Sequence, residues 1–226
     1  VDNNISLTAH WKKAITNKEI ASLINLNKVY DGDVYAKAGD TKLHGSDDNP
    51  VTLSYGDIDL KFISVKYSDA NVGEDWTITA NAKETSYTAS NGNTYTLPAA
   101  TFEVTNEGKI TPAENSNIPV VYAINESASG AKDGKIVGVT TDMEYWKKVV
   151  IVDGSQPIYT AITSEDIVEH IDNTDPENPV TLPAIANFAP GQYLVRYKAQ
   201  GNYKASADKV VSISAGDMVT VTLPDL

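Results

Sequence analysis

Carboxylates are the one reactive group in surplus, with 30 Asp and Glu against 18 Lys and Arg. Asp31 and Asp33 flank Gly32, Asp47 and Asp48 adjoin, and Asp57 and Asp59 fall on one face of a strand pattern. Glu165, Asp166, Glu169, Asp172, Asp175 and Glu177 crowd a single segment. Two chemistries use such groups. A glycosidase needs two carboxylates facing each other across a cleft. The short turns of this chain leave little room for one, so the expectation is a protein that is not an enzyme. Calcium takes several hard oxygen ligands from loops. Asp172, Asp175 and Glu177 are the candidate ligands of a structural calcium. Their stretch lacks the Gly and the distal Glu of a helix-loop-helix calcium loop, and a solvated acidic loop is the competing reading. No other cofactor is expected.

The remaining chemistry is sparse. His10, His44 and His170 are scattered and have no zinc-ligand spacing. There is no Gly-x-Ser-x-Gly elbow, phosphate loop or dinucleotide fingerprint. Ser127-Ala-Ser129-Gly130 has no nearby base to activate a hydroxyl and reads as a turn. Tyr87, Tyr95, Tyr159 and Tyr203 sit near turns and are the candidate ligand-binding aromatics, able to stack on sugar rings. Packing at the ends of a β-sandwich is the favoured reading of each, and stacking the weaker one. Trp76 and Trp146 lie in alternating strands and are expected in the core. Lys28, Lys61 and Lys109 lie near core strands, where a Lys–Asn or Lys–Asp isopeptide would form, but no spacing identifies a partner.

Composition narrows the class. The formal charge is -12 over 226 residues, which argues against nucleic acid and against an anionic membrane surface. Cysteine is absent, so disulfides, thiol catalysis and thiolate metal sites are excluded. No apolar run is long enough to span a bilayer. The chain opens in a strand pattern with no leader, which reads as a piece of something longer.

Strand and turn grammar runs throughout. Lys28-Val-Tyr-Asp-Gly-Asp33 is a strand entering a sharp reversal, because Gly tolerates positive φ and Asp bonds its own backbone. Tyr67-Ser-Asp-Ala-Asn-Val-Gly73 repeats that pattern, and Ile110-Thr-Pro112 closes a strand. Ile58, Leu60 and Phe62 alternate; then the apolar phase slips to Ile63, Val65 and Tyr67, which predicts a β-bulge or a bend. Asn91-Gly-Asn93 signals a hairpin. Thr16-Asn-Lys-Glu19 has capping-box form with Ile20, Leu23 and Ile24 at helical spacing, while Ile20–Leu26 also reads as an extended run. Asn4–Lys12 alternates as a half-buried strand, with Ile5, Leu7, Ala9 and Trp11 on one face.

The three pieces at Lys28, Tyr67 and Ile110, in that order, resemble the Tyr-Asp-Gly repeat of bacterial surface proteins over about residues 20–113. The resemblance favours a strand over a helix after Thr16. Leu7-Thr-Ala-His-Trp-Lys12 is similar to the last strand of an internalin-type B-repeat, so residues 1–14 are either that strand or the first strand of the next domain. Residues 15–113 form the first β domain, and 114–119, small and polar, form a linker. Residues 120–226 carry Asp133-Gly-Lys-Ile136, Met143-Glu-Tyr145, Ala189–Ala199 and Asn202-Tyr-Lys-Ala-Ser206. They resemble an immunoglobulin-like or fibronectin-like surface module. Lys209–Ala215 and Met218–Leu223 read as a hairpin about Gly216-Asp217. Thr163–Asp172 reads either as a helix face or as a strand. Asp48–Leu53 and Glu177–Leu182 share Asn-Pro-Val-Thr-Leu, which is shared turn chemistry rather than a repeat.

The expected fold is therefore all-β, with two immunoglobulin-like sandwiches joined by a short linker. The resemblance implies non-catalytic spacer modules of an extracellular bacterial surface protein. The alternative is an adhesin module gripping host or cell-wall glycans or proteins through its loops. Expected partners are the neighbouring domains of the same chain; a monomer is expected, with no nucleic acid and no membrane insertion.

Overall fold

A computed structural model describes residues 8–149, 158–162, 168–172, 175, 177 and 179–218. The chain divides into two compact units, Val1–Ala113 and Glu114–Leu226. It is all-β: strands dominate both units, and the helix of the first unit has five residues. No helix among the described residues is long and apolar enough to cross a membrane.

The first unit runs β1 (Lys12–Ala14), α1 (Asn17–Ala21), β2 (Asn27–Val29), β3 (Lys37–Ala38), β4 (Thr41–Lys42), β5 (Val51–Tyr55), β6 (Ile58–Tyr67), β7 (Gly73–Ala82), β8 (Ser86–Thr88), β9 (Thr94–Thr96) and β10 (Thr101–Thr111). Its main sheet has the order β2-β10-β7-β6-β5, beside a three-stranded sheet β1-β9-β8 and the hairpin β3-β4. The pairs β1–β9 and β2–β10 are parallel, so this unit departs from an all-antiparallel sandwich. One core joins the layers, with Ile20 of the helix, Leu43, Leu60, Phe62, Val65, Ile78 and Ala80 fully buried.

Local chemistry sets several of these elements. Thr16 caps α1: its Oγ1 accepts from Glu19 N at 3.2 Å, and Glu19 Oε2 accepts from Thr16 N at 2.8 Å. The capping box therefore wins over the strand favoured by the resemblance. The register of β6 shifts between Phe62 and Ser64, so the phase slip in the sequence is a bulge. Gly73 and Gly108 let Trp76 and Tyr67 pack close to the backbone. A Cβ at Gly73 would lie 2.5 Å from the Trp76 ring, and one at Gly108 would lie 2.9 Å from the Tyr67 ring. Of the expected strand over Asn4–Lys12, residues 8–11 are not strand and β1 begins at Lys12. Trp11 meets Tyr95 edge-on at 5.1 Å and stays 46% exposed, because it is Ile15 that fills the core. Residues 4–7 lie outside the described residues.

The second unit runs β11 (Ala113–Asn115), β12 (Tyr122–Ile124), β13 (Gly134–Val137), β14 (Met143–Val149), β15 (Ile158–Ile162), β16 (Val168–Asp172), β17 (Val180–Phe188), β18 (Gly191–Tyr197), β19 (Tyr203–Ser206) and β20 (Lys209–Ile213). Its first residues, expected as linker, lie in β11, which pairs with β19. Two four-stranded sheets, β12-β13-β17-β16 and β15-β14-β18-β20, are antiparallel in every paired register described. Between them lie Ile136, Tyr145, Ile185, Phe188, Tyr193, Val195, Val211 and Ile213. Residues 168–172 take the strand reading, with Glu169 and Ile171 on the exposed side; residues 163–167 lie outside the described residues, as do 219–223 of the expected last hairpin.

Candidate functional site

The four candidate tyrosines separate into two buried and two exposed. Tyr87 and Tyr95 face each other across β8 and β9 and are each 7% exposed. Both belong to the core, which is the packing reading rather than the stacking one. Their hydroxyls find partners there, which is what lets a phenol be buried. Tyr87 donates to Glu84 O at 2.8 Å and accepts from Lys61 N at 3.0 Å. Tyr95 donates to Asp57 Oδ1 at 2.7 Å.

Tyr159 and Tyr203 remain at the surface of the second unit, and they line different depressions. Tyr159 stands beside Trp146, Leu194, Arg196 and Asp208 on the outer face of β15-β14-β18-β20. Trp146, expected in the core, is on that outer face: its neighbour Tyr145 points inward, so the pleat turns Trp146 out. The Arg196 guanidinium caps the indole at 4.3 Å and donates to Glu144 Oε1 at 2.6 Å. Trp76, by contrast, packs against the first core.

Tyr203 lines a groove of about 710 Å³. That volume lies within the ~300–1,000 Å³ of small-molecule sites. Its walls are Glu114, Asn115 and Asn117 from the start of the unit, Asp142 from the turn before β14, and Tyr197, Lys198, Gln200 and Asn202 around the end of β18. The tip is a tight reversal. Gln200 and Tyr203 exchange backbone hydrogen bonds of 3.1 Å in both directions, and Gly201 takes φ +56°. Lys198 is anchored twice, by N–H to Asp142 O at 2.8 Å and by Nζ to Thr141 O at 2.9 Å. Asn115 Oδ1 accepts from Asn117 N at 3.1 Å and shapes the opposite wall. Amides, hydroxyls and a phenol suit a hydroxyl-rich neutral ligand. The two carboxylates, Glu114 and Asp142, are exposed, and Glu114 is ion-paired with Lys204; a glycosidase acid needs burial to stay protonated. Of its walls, the sequence singles out Tyr203 alone, since the others come from three separated segments.

The calcium candidates Asp172, Asp175 and Glu177 are described with these partners. Asp172 Oδ2 accepts from Tyr122 OH at 3.2 Å, and Asp175 Oδ1 accepts from Glu177 N at 3.1 Å. Among the described residues, no group of three or more His, Asp or Glu could hold a metal ion.

Asp31 and Asp33 assemble around an amine. Lys28 has a side chain only 3% exposed. Its Nζ donates to Asp31 Oδ1 and to Asp33 O, both at 2.6 Å, and stands 5.6 Å from the Tyr67 ring centroid. Burial pushes the Asp31 and Asp33 carboxyls up, but hydrogen bonds from Lys28 and the Asp33 N–H to Asp31, and from Lys42 and the Tyr35 N–H to Asp33, hold both below the usual range. Burial, with the Asp31 charge, pushes the Tyr67 phenol up to about 12. The acceptors are Asp31, Asp33 and, at 3.4 Å, Tyr35 O just beyond the turn, so the cluster fastens the Tyr-Asp-Gly-Asp reversal to the core. Compared with protein families, with curated proteins and with solved structures, the chain finds no match.

Proposed function

We propose that the two units are non-catalytic spacer modules of an extracellular bacterial surface protein. The observation that carries this reading is the second unit's strand order. Its sheets β12-β13-β17-β16 and β15-β14-β18-β20 correspond to the ABED and C′CFG sheets of an immunoglobulin-like sandwich. Tyr193, early in the F-equivalent β18, donates to Ala189 O at 2.6 Å. That is the tyrosine corner of such folds. The lysine-fastened Tyr-Asp-Gly-Asp turn supports the resemblance of residues 20–113 to the surface-protein repeat. Each unit has its own core, which is what load-bearing modules strung along one chain require.

The groove at the β18–β19 tip favours a second reading, an adhesin module for neutral glycans. A glycan array with the purified chain separates the two. The spacer reading expects no reproducible binding. Binding that Asn117→Ala and Gln200→Ala abolish, with the melting temperature unchanged, would replace it with the adhesin reading.

A further inference from the structure

The strand β15 ends its sheet with one edge unpaired among the described residues. Its sequence, Ile158-Tyr-Thr-Ala-Ile162, contains no charge and no proline. Ile158 is 55% and Tyr159 41% exposed, and only Ile162 of the five is half-buried. Such an edge is a template for another strand, which proteins ordinarily block with charge, proline or a cover. The other five-residue edges here are blocked. The strand β16 carries Glu169 and Asp172, and β20 carries Lys209. The strand β5 is uncharged, but Leu53 is buried, and Lys13 and Glu19 close over Tyr55.

We propose that β15 is a homotypic docking edge, and that its partner is the β15 of a second copy, paired antiparallel about a two-fold axis at Thr160. The residues complement themselves in that register. Thr160 meets Thr160 of the partner copy, Tyr159 meets Ala161, and Ile158 meets Ile162. Thr160 with Thr160 is a favourable cross-strand pair, Ile158 with Ile162 sets apolar against apolar, Tyr159 lies over the small Ala161, and no like charges oppose. The faces agree as well. Ala161 pairs with Trp146 within the unit, so the partner copy's aromatic ring extends the outer row of Trp146, Leu194 and Val210. Ile162 packs on the second core, so the opposing isoleucine covers apolar surface that is otherwise wet. The contact is isologous and closes as a dimer. It would join neighbouring copies side by side, a role beyond spacing. The chain's charge of -12 opposes the approach, so added salt strengthens the contact.

Analytical ultracentrifugation of the whole chain over a concentration series tests this. The expected result is a reversible doubling of mass, favoured by salt. Thr160→Glu places a carboxylate next to Lys147 within the unit, its register partner, but opposite its own copy across the axis. It is expected to give a monomer with an unchanged melting temperature. Mixing Thr160→Glu with Thr160→Lys should restore the dimer. A wild-type chain monomeric at every concentration, or a dimer indifferent to Thr160→Glu, would overturn the proposal. Hydrogen exchange on the wild type gives a second reading that needs no variant: amides 158–162 should slow as concentration rises, and concentration-independent exchange there counts against it.

Discussion

Lys28 and Asp31 form an ion pair in which one partner is buried and the other is not. The Nζ–Oδ1 distance is 2.6 Å, and the side chains are 3% and 28% exposed. This asymmetry orders the consequences of breaking it. Asp31→Ala leaves a buried ammonium with less compensation and should cost ~3 kcal/mol. Lys28→Met leaves carboxylates that still reach Lys37 and Lys42 and should cost ~2 kcal/mol. Urea unfolding of both variants measures the order; an equal or reversed order would show that the turn does not depend on the amine.

Acid should loosen the first unit by the same route. Folded Asp31 and Asp33 sit below their ordinary carboxylate values. A depressed carboxyl contributes stability above its unfolded value, about 4, and that contribution disappears as pH falls through the folded value. Thermal melts should therefore fall below about pH 4, and Asp31→Asn should flatten that fall. The opposite sign, stability rising on acidification, would contradict the assignment.

Tyr193 is 1% exposed and its hydroxyl reaches Ala189 O at 2.6 Å. Tyr193→Phe keeps the ring and removes the hydrogen bond. Loss of ~1 kcal/mol from the second unit is expected, read by calorimetry, with the first unit's transition unmoved.

At the start of α1, Thr16→Ala removes the acceptor for Glu19 N. A cap of this kind contributes ~1 kcal/mol. The loss should appear in the first unit's melting transition, and Thr16→Ser should recover it.

Features written in short stretches of chain leave a local signal, even where, as after Thr16, the resemblance points the other way. The Thr16–Glu19 box specifies its helix start, and the slip from Phe62 to Ile63 specifies the bulge, because both depend on near neighbours. Features set by pairing do not. Tyr87 and Tyr95 are in short strands, and only their mutual register turns both inward. Trp146 faces outward because Tyr145 occupies the core side of the same strand. Lys28 lies near a core strand in the sequence, but its spacing names no partner; the turn that brings Asp31 and the Asp33 carbonyl onto its amine does. The groove around Gln200 combines residues 114–117, 142 and 197–203, which no local pattern connects.

Stretching the chain by its two ends tests the spacer reading most directly. Residues 1–113 and 114–226 form separate compact units of equal length. Single-molecule force extension should show two discrete unfolding peaks, each releasing on the order of 350 Å of chain. One merged event, or a unit that extends without a force peak, would contradict the account of independent load-bearing modules.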